Sequence, residues 1–317
     1  MMETLSPILQ GAFLLFAAPA LAGWIIWFKA MMQGRCRSWT YIFQPYLNLT
    51  AQFRTPAVRP LTASWVFRAT PWILFASYAW LMFIIPIFAK PLLAIDFIVV
   101  IYVLALGRFV LSLAGWDAGN AFGGLGGSRE MFFHFLTEIG LILFFAALAL
   151  RWDTINLGKI FDDHAQILYG LPKILNQEFS QNFGIIFLAI SLALIILFEA
   201  ERLPIDNPDT HLELTMTQKA VLLEFAGYDL ALVEWAEMIK LMFLFSLFSN
   251  LFMPIHIMSQ FQIPLFTVKM LLLGCLLVLW ELRQARTPLR QVSRFAWTTV
   301  LFSLVSIILT VAIRRLL

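Results

Sequence analysis

Eight stretches of this chain are long, apolar and unbroken: roughly 5–29, 71–89, 92–115, 131–150, 182–200, 236–257, 264–282 and 295–313. Each is near the ~20 residues that carry a helix across a hydrocarbon core of about 30 Å. Lipid offers no partner to a backbone N–H or C=O, so such a run must close its own hydrogen bonds as a helix. Only 13 % of residues are charged and 61 % are hydrophobic, where a soluble domain carries about 25 % charge. A water-soluble fold and a disordered chain are therefore excluded. An outer-membrane barrel would alternate over segments of about ten residues, and these runs do not. The sequence predicts an all-α integral membrane protein with about eight transmembrane helices. No internal repeat, linker or low-complexity stretch divides it, so a single polytopic membrane domain over 1–317 is expected.

The positions of the bases orient the chain. Thirteen of the 22 follow helices one, three, five and seven, among them Lys29, Arg35, Arg37, Arg54, Arg59, Arg68, Arg129, Arg202, Lys219 and Arg290. Six lie on the other side: Lys90, Arg151, Lys159, Lys173, Arg314 and Arg315. The positive-inside rule puts the first set in the cytoplasm, with both termini and the 151–180 segment outside a cell inner membrane. The bases follow the first apolar run rather than precede it, so that run is expected to span the membrane and not to act as a signal peptide.

Two cysteines, Cys36 and Cys275, without a CxxC pair, are too few for a cluster held by four thiolates. His134, His164, His211 and His256 are scattered, with no HExxH. The expectation is no metal site and no resident cofactor.

Three inner segments stand out. In 31–70, Phe43, Tyr46, Leu47 and Phe53 fall near helical spacing with Gln44, Asn48 and Gln52 between them and bases on either side. This predicts an amphipathic helix in the first cytoplasmic loop, lying in the membrane interface. It serves either as a connector or as a docking surface. Residues 115–127 hold six glycines. No strand precedes them and no Lys-Ser/Thr follows, so a phosphate cradle is rejected; close backbone approach between two spans is expected instead. Residues 199–237 carry nine acids (Glu199, Glu201, Asp206, Asp209, Glu213, Glu224, Asp229, Glu234, Glu237) against two bases. A solvated negative face is the plain reading. The interleaved Leu203, Ile205, Leu212, Leu214 and Met216 favour a folded, partly buried segment.

Charges inside spans are costly and usually functional. Glu130, His134 and Glu138, at i, i+4 and i+8, share one helix face. Arg108 lies seven residues before the inner end of the third helix, about 10 Å deep. Counting the fourth helix from Met131 sets Glu138 level with Arg108 and predicts that the two pair. Either a static ion pair or a titratable relay fits. Lys240 follows Glu237 by one turn and is expected to compensate the acid cluster; Lys269 and Glu281 are expected to snorkel.

The two unusual inner segments also carry a resemblance. Asp117-Ala-Gly-Asn-Ala-Phe-Gly-Gly-Leu-Gly-Gly-Ser-Arg129-Glu130 resembles the loop after the third helix in the subunit-one family of respiratory complex I and its hydrogenase relatives. Phe43-Gln-Pro-Tyr46, Ala63-Ser-Trp65-Val-Phe67-Arg68 and Ile101-Tyr-Val-Leu-Ala-Leu-Gly107-Arg108-Phe look like other parts of that family. Glu199-Ala-Glu-Arg202-Leu-Pro204-Ile-Asp206-Asn-Pro-Asp-Thr-His211-Leu-Glu213 is similar to the form in hydrogenase-4-type and formate-hydrogenlyase-type members. The resemblance covers most of 5–315. It implies a membrane-arm subunit of an energy-converting hydrogenase that anchors a peripheral redox arm, has no redox centre of its own and couples electron transfer to proton or ion translocation. Implied partners are membrane lipid, a hydrogenase-like large subunit, an iron–sulfur small subunit and antiporter-like membrane subunits, with no nucleic acid. The family's functional groups would fall on Glu138, Glu199, Arg202, Asp206, Glu213, Glu224 and Glu237; Glu130, His134 and Arg108 complete the expected coupling path. Three positions depart from the family pattern: Glu201 stands where a small or neutral residue is usual, Gln218-Lys219 replaces an expected His-Glu, and Cys36-Arg37 interrupts an expected Arg-Gly. Two other readings stay open. One is a quinone-site subunit of an NADH-dehydrogenase-like complex, the other a hydrogenase-related complex that has lost hydrogen chemistry.

Overall fold

A computed structural model of the chain describes residues 2–35, 38–87, 95–161, 179–202, 218–253, 262–284 and 289–316. In order, the helices are α1 (Met2–Met32), α2 (Gln44–Phe53), α3 (Trp65–Leu81), α4 (Phe97–Asp117), α5 (Ala121–Trp152), α6 (Phe179–Glu199), the short α7 (Gln218–Leu222), α8 (Gly227–Phe252), α9 (Gln262–Arg283) and α10 (Leu289–Leu316). Among the described residues there is no strand. Among the described residues, five helices are long and apolar enough to cross a membrane: α4, α5, α9, Ser6–Met32 of α1 and Val292–Ala312 of α10. Helices α3, α6 and α8 stand at the other three positions where the apolar runs predict spans.

Helix α8 is the hub. It packs against α1, α2, α3, α6 and α9, while α5 packs against α4, α6, α7 and α10. The main core includes Leu14, Tyr78, Leu104, Phe144, Leu192 and Phe243, and a smaller separate cluster of Phe133, Leu136, Phe198, Val292 and Ala296 lies where α5, α6 and α10 meet. Helix α2 is the expected amphipathic segment. It begins with Pro45 in its first turn, buries Pro45 and Leu49, and leaves Phe43, Leu47 and Phe53 exposed. Proline fits there because the first-turn N–H has no intrahelical partner to lose.

The glycine-rich stretch is the turn into α5 and its first two turns. Gly119 takes a positive φ of 72°. Asn120 then caps the helix, its side chain accepting from the Gly123 amide at 2.7 Å. A methyl group on Gly115 would stand 2.8 Å from the Gly123 carbonyl oxygen, and one on Gly127 would stand 2.9 Å from that of Ser112. The glycines thus let α4 and α5 cross in near backbone contact, as expected of two close spans. The helix therefore starts ten residues earlier than the apolar run near Met131. Packing and the cap offset the entropic cost of glycine in a helix.

One end of the bundle is tied by polar caps. Asp117 accepts hydrogen bonds from the Ser64 amide and hydroxyl, both 2.8 Å, and from the Phe67 amide at 3.1 Å, closing the start of α3 onto the end of α4. At the opposite end, the Phe97 amide donates to Ile155 O and the Leu157 amide to Ile95 O, each at 3.0 Å.

Candidate functional site

The site forms where α4, α5 and the end of α6 meet. Arg108 is 4 % exposed and ion-pairs with the fully buried Glu199. Its Nη1 also stands 3.3 Å from His134 Nδ1. On the far side of the imidazole, Nε2 lies 3.6 Å from Glu201 and 3.9 Å from Glu130. Glu130 is 1 % exposed and Glu201 8 %. Polar atoms of Glu130, His134 and Glu201 all come within 4.8 Å of one another. Lys240 is also buried, 2.6 Å from Glu237, with its ammonium 5.6 Å from the centre of the Tyr78 ring.

A cavity of about 780 Å³ opens beside this cluster. Glu201, Arg202 and Glu237 line it together with Lys29, Arg35 and Lys219. One wall is apolar, from Ile25, Ile26, Met238 and Leu241. Two of the lining residues, Lys29 and Arg202, hold the buried Glu281 between them, each at 3.4 Å. Arg59 grips the buried Asp229 in the first turn of α8 at 2.7 and 3.2 Å and donates to Tyr228 at 3.0 Å. These hydrogen bonds hold the Arg59 guanidinium above its ordinary pKa.

The expected Arg108–Glu138 pair does not form; Arg108 takes Glu199. Two physical reasons account for this. Because α5 starts at Ala121, Glu130 sits nine residues into α5 and Arg108 nine residues before the end of α4, so Glu130 shares its depth of about 13 Å. At 100° per residue, Glu138 is also turned about 80° from Glu130 around the helix. It is half-buried and has no hydrogen bond or ion pair with another described residue. Glu281 does not snorkel: it is 2 % exposed and doubly paired. Lys240 compensates Glu237 as expected. Arg202 is drawn to Glu281, and Glu224 accepts from Asn120 at the turn into α5. Asp206 and Glu213 lie outside the described residues. Glu201 is not among the expected site residues yet joins the cluster beside His134; its departure from the family pattern is its signal in the sequence.

The sequence pattern of the NADH dehydrogenase family matches residues 7–312. The chain belongs to this family. Hydrogenase-4 component C of Escherichia coli (strain K12) is 29 % identical over 77 % of this chain and 74 % of its own length. Formate hydrogenlyase subunit 4 of the same organism is 25 % identical over 93 % of this chain and 95 % of its own length. A chain of the membrane-bound sulfane sulfur reductase, an archaeal respiratory membrane complex, superposes with a TM-score of 0.79 at 16 % identity. That match covers 98 % of this chain and all of the other, and shows a shared fold. The chain is thus a multi-pass membrane protein of the complex I subunit-one family, with hydrogenase-type relatives.

Proposed function

We propose that this chain is the membrane-arm subunit of an energy-converting hydrogenase of the formate hydrogenlyase or hydrogenase-4 type. It anchors the peripheral redox arm and couples electron transfer to proton or ion translocation. The observation that carries this is the buried group Arg108–Glu199–His134–Glu130 beside an ionisable cavity. Charge in the depth of a membrane protein is expensive and marks ion paths. The coupling path runs through Glu130, His134, Arg108, Glu199 and Glu237, with Arg202, Asp206, Glu213 and Glu224 at the inner face. Glu138 lies deeper along α5, where it serves as a later station. The inner ends of the helices meet the large subunit and the iron–sulfur small subunit, and antiporter-like subunits lie alongside in the bilayer. The eight helices cross an inner membrane with both termini outside; a cysteine placed at position 165 should be labelled only from the outer face.

The test is translocation by the intact complex in sealed vesicles. Glu130→Gln keeps shape and cannot release a proton. Translocation per electron should fall at least about tenfold, while electron transfer to a soluble acceptor stays within about twofold. Unchanged translocation would remove the reading.

The cavity favours a second reading, a quinone-site subunit. Its ≈ 780 Å³ lies within the range of small-molecule sites, roughly 300–1,000 Å³, and its apolar wall suits a ring with a hydrocarbon tail. Photoaffinity labelling of Met238 or Ile26 by an azido-quinone, competed by unlabelled quinone, would establish it.

A further inference from the structure

Glu201 is the residue here whose conformation and chemistry are both out of the ordinary. Helix α6 ends in a 6→1, 5→2 pair of backbone bonds: the Arg202 amide to Leu197 O at 3.1 Å, and the Glu201 amide to Phe198 O at 3.0 Å. That motif puts a left-handed residue just past the helix, normally glycine. Here the residue is Glu201, at φ 47°, a conformation costing a non-glycine residue of order 1 kcal/mol. The strain delivers a carboxylate into the pocket of His134 and Glu130. The same side chain lines the cavity, so Glu201 touches both the inner space and the buried cluster.

The imidazole decides what this trio handles. A guanidinium can only donate, so His134 Nδ1, 3.3 Å from Arg108 Nη1, is the acceptor and Nε2 carries the hydrogen. That leaves no lone pair on Nε2 for a metal ion. It leaves an N–H aimed between two carboxylates, at 3.6 Å and 3.9 Å. Shortening either to hydrogen-bond length takes less than about 1 Å. Among the described residues, Glu130 Oε2 is buried without a hydrogen-bond partner. A spacing within 4.8 Å is one that a single bridging water spans with two ordinary hydrogen bonds. Two carboxylates this close in a buried site repel, and one proton held between them removes the repulsion. The surrounding charges are Arg108 from α4, Glu199 from α6, and Glu237 and Lys240 from α8, with the Tyr78 hydroxyl from α3 beside them.

We infer that Glu201 is the first proton acceptor of the coupling path. It takes a proton from the cavity and passes it to Glu130, while the His134 Nε2–H stabilises whichever carboxylate is ionised. In the step, the O–H bond on Glu201 breaks and one forms on Glu130; no electrons move, and one negative charge shifts from Glu130 to Glu201. This rests on the ion-coupling role proposed above and names the ion as a proton.

The test compares Glu201→Asp with Glu201→Asn in the intact complex. Both residues tolerate the left-handed conformation, and they differ in having a titratable group. Glu201→Asp should keep at least about a third of the proton translocation per electron; Glu201→Asn should lose it at least about tenfold. In infrared difference spectra recorded across turnover, a protonated-carboxyl band that shifts in D₂O should be present in the wild type and Glu201→Asp. It should be missing in Glu201→Asn. Equal translocation by the two variants would overturn the inference. So would one equivalent of added Mn²⁺ retained after gel filtration by the wild type and lost in Glu201→Asn, because the trio would then be a metal site. If Glu201→Asn translocates normally while Glu130→Gln does not, the acceptor role of Glu201 falls and the coupling reading stands. If both translocate normally, both fall.

Discussion

Two polar regions lie buried in this bundle, and they are built on opposite principles. One is the charged cluster of Arg108, His134, Glu130, Glu199 and Glu201. The other is a neutral seam where α10 meets α5 and α6. There the Ser303 hydroxyl meets Ser191 Oγ at 2.6 Å and donates within 3.1 Å to the Gly140 carbonyl, and Ser306 donates to Gly184 O at 3.2 Å. The seam uses small side chains whose hydroxyls reach backbone carbonyls of their own or a neighbouring helix. Helices pack closely through such contacts, and each of these hydroxyls has a partner. In the cluster, Arg108 Nη2, Glu199 Oε2 and Glu130 Oε2 are buried with no hydrogen-bond partner among the described residues. A buried polar atom costs free energy while it stays unpaired. The seam joins helices through neutral hydrogen bonds, whereas the cluster gathers charge inside the bundle.

This contrast can be broken in a graded series. The largest effect is expected from Arg108→Ala, which strands Glu199 in an apolar interior. Loss of a buried partner costs about 3–5 kcal/mol, so the complex should fail to assemble on a native gel. The Arg108→Ala/Glu199→Ala double variant should assemble again yet not translocate. Next comes Arg59→Ala, which removes the partner of Asp229. Arg59 is partly exposed, so the cost should be smaller, roughly 2–3 kcal/mol, read as a lower melting temperature. Gly140→Val follows. Even a methyl there would meet Thr299 Oγ1 at 2.9 Å, so α5 and α10 must separate, at about 1–3 kcal/mol. The smallest effect is expected from Ser303→Ala, about 0.6 kcal/mol by analogy with interhelical hydrogen bonds in membranes. Seam variants should lower stability without changing ions moved per electron. A translocation defect in Ser303→Ala that exceeds its loss of stability would merge the two regions into one.

Much of the cluster is legible in the amino-acid sequence. Arg108, Glu130 and His134 stand out as ionisable groups within apolar runs, the family resemblance adds Glu199, and these four do meet in the fold. Glu201 is harder to see. In the sequence it is one of nine acids, and nothing there marks a left-handed helix end occupied by glutamate. Glu281 looks like a group for the water interface because it falls near the end of its apolar run. Its partners, Lys29 and Arg202, are some 250 and 80 positions away in the chain, and spacing along one helix carries no information about them.

By itself the sequence determined the class and the local order. Apolar runs of membrane length must close their own hydrogen bonds, so helices stand at all eight expected positions. The Phe/Gln alternation of residues 43–53 could only make a two-faced helix. The glycines of 115–127 had no chemistry beyond close contact. What tertiary structure decided was depth and azimuth. Ten residues of glycine-rich sequence became helix once α4 lay against them, which moved Glu130 rather than Glu138 level with Arg108. Rotation by 100° per residue did the rest, turning Glu138 away and bringing Glu199 and Glu201 in from the end of another helix. Partner choice in a bundle depends on where each helix begins and how it is turned, and packing sets both.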